Sequence, residues 1–100
     1  MRVAFHPDAL AEFLDARGYD NSQRPGLGDE FADEIAAGLD RIQQFPNGWT
    51  IERQNTRLYV ANRFPYGIVY ELGEDEIRVV AIAHLKRRAR YRRKRTFSAA

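Results

Sequence analysis

The chain has no cysteine, which excludes disulfide staples and thiolate metal sites and leaves the apolar core to hold the fold, as in a protein of the cytosol. Its only two histidines, His6 and His84, lie far apart in the sequence, so no metal site is set up by their spacing. Apolar runs are short: the longest, Val79 to Ala83, is a fraction of the ~20 residues that a membrane helix needs. Met1 leads directly into a strand-like segment, without the apolar stretch of a signal peptide. Glycine-rich phosphate loops are missing, and so is any serine, histidine and aspartate arrangement of recognisable spacing. These absences point to a soluble cytoplasmic protein with no metal, no membrane association and no nucleotide cofactor. One hundred residues, 44% hydrophobic and 30% charged, suit a single small domain over residues 1–100, with no repeat and no interdomain linker.

What the chain does have is an uneven charge distribution. His84 to Ala100 holds eight basic residues and no acid, namely Lys86, Arg87, Arg88, Arg90, Arg92, Arg93, Lys94 and Arg95. Met1 to Ala83 holds the other eight bases against all fourteen acids, a balance of −6 against +8. The formal net charge of +2 hides this asymmetry, which marks the end of the chain as the part that faces a polyanion. The acidic stretches keep the body soluble and favour helix starts through the helix dipole.

Periodicity divides the chain in two. Arg2 to Phe5 reads as a short strand that stops at His6 and Pro7. Pro7 suits the first position of a helix and His6 its cap. Leu10, Phe13 and Leu14 then form an apolar stripe beside Glu12 and Asp15, predicting an amphipathic helix that runs raggedly to about Ser22. After the break at Arg24, Pro25 and Gly26, a second helix carries Leu27, Phe31, Ile35, Leu39, Ile42 and Phe45 along one side and ends at Pro46. The two helices predict an antiparallel hairpin. Arg57 to Phe64, Tyr66 to Leu72 and Ile77 to His84 switch to strand-like composition and predict an antiparallel meander. In the first of these runs Leu58, Val60 and Phe64 are expected to face the helices, leaving Arg57, Tyr59 and Arg63 outward. Lys86 to Phe97 reads as a short helix or a partly ordered tail.

The segments RFPYGIVYEL (Arg63 to Leu72) and IRVVAIAHLKRRARYRRKR (Ile77 to Arg95), preceded by SQRPGLGDEF (Ser22 to Phe31) and IQQFP (Ile42 to Pro46), occur in the order and spacing of one known group. Over about ninety residues the chain resembles the RelE/ParE toxin superfamily. That resemblance implies an α+β fold: a β-α-α-β-β-β core, a helix hairpin packed on a small, mainly antiparallel sheet, and a short basic C-terminal element. It also implies the toxin of a type II toxin–antitoxin system, held inactive in a hetero-oligomer by a cognate antitoxin whose flexible segment wraps it. Two targets are known in the superfamily. ParE-like members act on DNA gyrase without nuclease chemistry, and RelE-like members are ribosome-dependent endonucleases of messenger RNA. In RelE-like sequences an arginine commonly follows the tyrosine of the central strand, where this chain has Gly67. That departure favours action on gyrase, with the nuclease as the alternative and a degenerate, non-toxic member as a third reading.

If the chain is a nuclease, the catalytic set implied by the resemblance is Arg57, Arg63, His84, Arg87 and Tyr91. The arginines would hold phosphate through their planar forks, and His84 or Tyr91 would transfer a proton. As a binding protein it would use Lys86, Arg87, Arg88, Arg90, Arg92 and Arg93 on its target. Each has an ordinary structural reading as well: His84 as a hydrogen-bonding strand end, Tyr91 as a clamp docking the tail on the core, and Arg57 and Arg63 as partners of Glu52, Glu71 or the acidic helix faces.

Overall fold

The computed structural model describes residues 1–86 and Arg95. The elements run β1 (Arg2–Phe5), α1 (Pro7–Gln23), α2 (Leu27–Gln44), β2 (Thr50–Arg53), β3 (Thr56–Val60), β4 (Tyr66–Gly73) and β5 (Glu76–His84). One five-stranded sheet has the order β1-β5-β4-β3-β2. β1 lies parallel to β5, and the remaining pairs are antiparallel. The two helices pack on one face of this sheet as the expected α+β hairpin-on-sheet arrangement. Among the described residues no helix is long and apolar enough to cross a membrane.

The core lies between the hairpin and the sheet. Phe31, Ile35 and Ile42 of α2 meet Ile68, Tyr70, Ile77, Val79 and Ile82 of β4 and β5, all buried, with Leu27 and Leu39 packed at the margin. The α2 stripe is the one its periodicity predicts from Leu27 to Ile42, but Phe45, expected to continue it, is the C-cap beyond the last helical turn and is 64% exposed. α1 has the predicted extent but a different phase. Its buried positions are Ala9 and Ala16, with Phe13 half-buried and stacked on Phe31 at 5.7 Å. Leu10 and Leu14 are 46% and 54% exposed. The sequence stripe followed the larger side chains, whereas a helix held close to its neighbours turns its smallest residues inward.

The sheet departs from the expected meander at two places. An additional edge strand, β2, pairs with β3 through a turn at Gln54 and Asn55. β3 ends at Val60, and Ala61 to Pro65 form a loop rather than the end of a strand. The face assignment of β3 is also inverted. Tyr59 points at α2 and is 2% exposed, while Leu58 packs on the opposite face with Val69, Val80, Ala81 and Ala83. Val60 is exposed. The Tyr59 ring meets Trp49 edge-on at 4.8 Å, and its hydroxyl receives a hydrogen bond from Arg41. A large aromatic that satisfies its hydroxyl at the rim of the core outweighs the smaller aliphatics beside it. Only Phe64, carried back by the loop, reaches the helices as expected, 5.5 Å from Phe31.

Two local devices fix these elements, and each generates a test. His6 is the N-cap of α1: its Nδ1 accepts the Asp8 backbone N–H at 3.0 Å, with Pro7 at the first helical position. Replacing His6 by alanine should cost about 1 kcal/mol or more in chemical denaturation, and asparagine should recover part of it by restoring an acceptor. Gly38 sits where the Tyr59 ring approaches the α2 backbone, so that a Cβ there would lie 2.7 Å from Tyr59 Cε1 and 3.1 Å from Ile68 Cδ1. Gly38→Ala gains ~1 kcal/mol of helix propensity, but overpacking a buried, pinned ring costs ~1–3 kcal/mol. The variant should therefore be less stable than the parent, and a higher denaturation midpoint would refute this packing account.

Candidate functional site

A cleft of about 460 Å³ opens between α1 and the end of the sheet. Glu12, Asp15, Ala16 and Tyr19 line it from α1, Tyr66 from β4, and Ile82 and His84 from β5. His84 and Tyr66 are register partners, and their rings meet edge to face at 5.0 Å. Nδ1 of His84 accepts the Lys86 backbone N–H at 3.2 Å, so the neutral ring carries its proton on Nε2. Both readings of this histidine thus have a basis in the geometry: a hydrogen bond is made at the strand end, and the ring borders a cleft.

The two arginines of the sequence reading lie elsewhere. Arg57 shares the helix-side face of β3 with Tyr59. Its Nη1 donates to the carbonyls of Asn47 and Trp49 at 3.1 and 2.8 Å. Tyr70, its register partner, donates through its hydroxyl to the Pro46 carbonyl at 2.7 Å, so both side chains hold the connection from α2 to β2. Burial pushes the Tyr70 hydroxyl up from its ordinary value, against a smaller opposing effect of the Arg57 charge. Four residues along β4 and two strand spacings separate Arg57 from His84, or ~16 Å between backbones. Arg63 lies in the loop after β3. Its Nη2 donates to Glu30 Oε1 at 2.9 Å and its backbone N–H to Glu34 Oε2 at 2.9 Å, both on α2. Arg24 joins the same carboxylate, Nη2 to Oε2 at 3.1 Å.

Position 67 is closed. A Cβ at Gly67 would lie 2.7 Å from Leu58 Cδ1, 2.9 Å from the Tyr59 carbonyl oxygen and 3.2 Å from Leu85 Cδ2. Gly67 pairs with Ala83 and alternates with Tyr66, so a side chain there would leave the sheet on the face away from the cleft. Of the basic residues expected to meet a target, Lys86 is exposed just past β5. Arg87, Arg88, Arg90, Tyr91, Arg92 and Arg93 lie outside the described residues.

One basic residue that the sequence reading did not single out is placed by the body. Arg95 donates from Nη1 and Nη2 to Oε1 and Oε2 of Glu12 at 3.0 and 3.1 Å, and from Nη1 to the Val80 carbonyl at 3.0 Å. Glu12 Oε1 also accepts the Ile82 backbone N–H at 3.1 Å. A pairing across 83 residues leaves no local signal. Tyr66 was findable, because the register of two adjacent strands puts it opposite His84.

The Arg63 contact has a titration signature. The Arg63 hydrogen bond, more than the opposing desolvation and the Arg24 charge, holds the Glu30 carboxyl below its ordinary value. A carboxyl depressed in the folded state adds stability that is present above its unfolded value and lost as pH falls through the folded one. Arg63→Ala should therefore move the Glu30 midpoint upward in an NMR carboxyl titration. An unmoved midpoint would mean that the ion pair is not made in solution.

Comparison with known proteins places this geometry. The family described as the ParE toxin of type II toxin–antitoxin systems, parDE, matches residues 3–89. Among solved structures, a chain of the "Chromosomal ParDE TA system from P. aeruginosa" superposes with a TM-score of 0.75 at 18% identity, covering 86% of this chain and 97% of that one. At that identity the likeness carries the fold alone. No curated protein sequence matches. With two helices on a five-stranded sheet in the right order and a family match across most of its length, the chain belongs to the ParE toxin family of type II toxin–antitoxin systems.

Proposed function

We propose that this toxin arrests growth by acting on DNA gyrase without nuclease chemistry, and that a cognate antitoxin neutralises it. The observation that carries the reading is the closed position 67. An RNA-cleaving relative of the RelE type would carry an arginine there, and here Leu58, Leu85 and the Tyr59 carbonyl fill the space a side chain would need. Cleavage at phosphate needs preorganised donors within hydrogen-bond reach of the charge that develops. Arg57 and Arg63 instead bond to the α2–β2 connection and to Glu30, and neither lines the cleft beside His84. The site residues are accordingly proposed as a binding set, Lys86, Arg87, Arg88, Arg90, Arg92 and Arg93, with Arg57 and Arg63 supporting the fold. Attraction to the gyrase–DNA complex through so many bases falls steeply with salt.

The antitoxin reading rests on family membership and on complementary chemistry: exposed apolar residues of α1, Leu10 and Leu14, and a cationic end suit an amphipathic or acidic wrapping segment. Expression of the unaltered protein should induce the DNA-damage response and leave transcripts intact, and the purified protein should inhibit gyrase supercoiling. Site-specific cuts in ribosome-bound transcripts, lost on His84→Ala, Arg57→Ala or Arg63→Ala, would overturn this in favour of the endonuclease. Normal growth on expression without the antitoxin would instead assign the chain to a non-toxic branch.

A further inference from the structure

At the end of the sheet away from His84, a pocket of about 200 Å³ lies where the α2–β2 connection, the β2–β3 turn and β4 meet. Arg57 lines it with the carboxamides of Asn47, Gln54 and Asn55 and the aliphatic side chains of Ile51 and Leu72. None of these described lining residues is an acid. Only part of the Arg57 fork is committed to the fold. Nη1 donates to the Asn47 and Trp49 carbonyls, and Nη2 makes a long bond of 3.4 Å to Asn47 Oδ1. Those bonds leave the Nε N–H and one N–H of Nη2 for a ligand. The same two nitrogens of Arg17 grip Asp29, at 3.2 and 2.7 Å. Among the described residues, Arg57 makes no ion pair, whereas Arg17, Arg24, Arg63 and Arg78 each have a carboxylate. Arg41 also donates to a neutral oxygen, but Glu30, Asp33 and Glu34 line the groove it faces.

We propose that this pocket binds a carboxylate carried on a short aliphatic arm, presented by an acidic residue of the antitoxin's wrapping segment. One guanidinium without a counterion matches a monoanion, and its planar fork matches the two oxygens of a carboxylate. The carboxamides can donate to the same oxygens and accept a neighbouring backbone N–H. Ile51, 58% exposed, and Leu72 offer an apolar wall to the methylene groups of the arm. The volume is smaller than the roughly 300 Å³ at which drug-sized pockets begin, and it suits a single side chain. The source of the carboxylate rests on the reading of the antitoxin as an acidic or amphipathic segment that wraps the toxin. Met1 to Ala83 has a balance of −6, so such a segment is repelled over much of the body and is steered to a positive point that the fold has left uncompensated.

The test uses the purified full chain and two probes of nearly equal shape, isovalerate and its neutral amide isovaleramide, followed by proton–nitrogen NMR. Isovalerate should shift the side-chain amides of Asn47, Gln54 and Asn55 and saturate in the millimolar range. Isovaleramide should bind about tenfold more weakly, the scale of a lost hydrogen bond to a charged group. Asn47→Asp gives Arg57 a carboxylate of its own and keeps the shape of the side chain, so it should abolish isovalerate binding without loss of stability. If that variant fails to fold, Asn55→Asp places the same charge in the exposed turn and decides instead. Equal binding of the two probes, or isovalerate binding that survives the added carboxylate, would overturn the site. The same variant is then compared with the parent chain for affinity to the cognate antitoxin. A loss of about tenfold that shrinks as salt is raised supports the assignment. Unchanged antitoxin affinity beside lost isovalerate binding refutes the antitoxin as the source of the carboxylate. A parent chain that binds no antitoxin refutes the wrapping reading and that source with it, while the isovalerate result still decides the pocket.

Discussion

β5 is nine residues long and β1 only four, so among the described residues one edge of a buried strand has no neighbouring strand to bond it past Val79. Ala81, Ile82 and Ala83 are buried, and backbone groups taken from water in that position must find partners or cost ~1–3 kcal/mol each. The chain meets the demand with side chains. His6 donates its backbone N–H to the Val79 carbonyl at 2.9 Å and ends β1 by capping α1. Two turns into that helix, Glu12 accepts the Ile82 N–H, and Arg95 supplies the donor for Val80. Val80 is also the residue left over where the β4–β5 register shifts between Val69 and Tyr70, as at a β-bulge, which turns a strand and leaves a backbone group unpaired. The tight entry into α1, its alanine-lined inner face and the recruitment of Arg95 all answer to this one edge.

This constraint also explains which parts of the fold were legible in the sequence. α2 was legible because eighteen residues repeat one apolar stripe between acidic and polar positions, and its buried face follows from period alone. β4 and β5 were legible from dense β-branched and aromatic content. The phase of α1 was not, because its position is set by Glu12 reaching β5, which favours Ala9 and Ala16 inward over Leu10 and Leu14. β2 was missed for a different reason: Thr50 to Arg53 is a four-residue edge strand with one exposed isoleucine, two charges and an irregular register, too short to show a period. The face of β3 was inverted because Tyr59 was weighed as polar, although its ring fills the space that Gly38 leaves on α2.

The same distinction runs through the site. His84 stands at the end of β5, where the strand-like run ends in the sequence, and Lys86 lies in the turn just beyond it. Arg57 and Arg63 share a sequence neighbourhood but not a place: the first is tied to carbonyls at the end of α2, the second to Glu30 near its start. A guanidinium in a sequence announces a fork, not what the fork will hold. Only the loop from Ala61 to Pro65, closed by the bond from Ala61 N–H to the Tyr66 carbonyl, determines that Arg63 turns toward the helices.

The charge asymmetry read from the sequence acquires a physical meaning once these partners are counted in. Within the acidic body Arg17 pairs with Asp29, Arg24 and Arg63 with Glu30, and Arg78 with Glu71 and Glu76. Arg41 and Arg57 donate to neutral oxygens. Most of these pairs are half-exposed, and their worth to stability is small, but together they direct these six guanidinium forks onto the body itself. Arg95 belongs to the basic end by sequence and to the body by its contacts with Glu12 and Asp8. The boundary between acidic globule and basic end is therefore not where the charge changes sign along the chain. By those contacts the body reaches along the chain as far as Arg95, nine residues past the point where the bases begin to outnumber the acids.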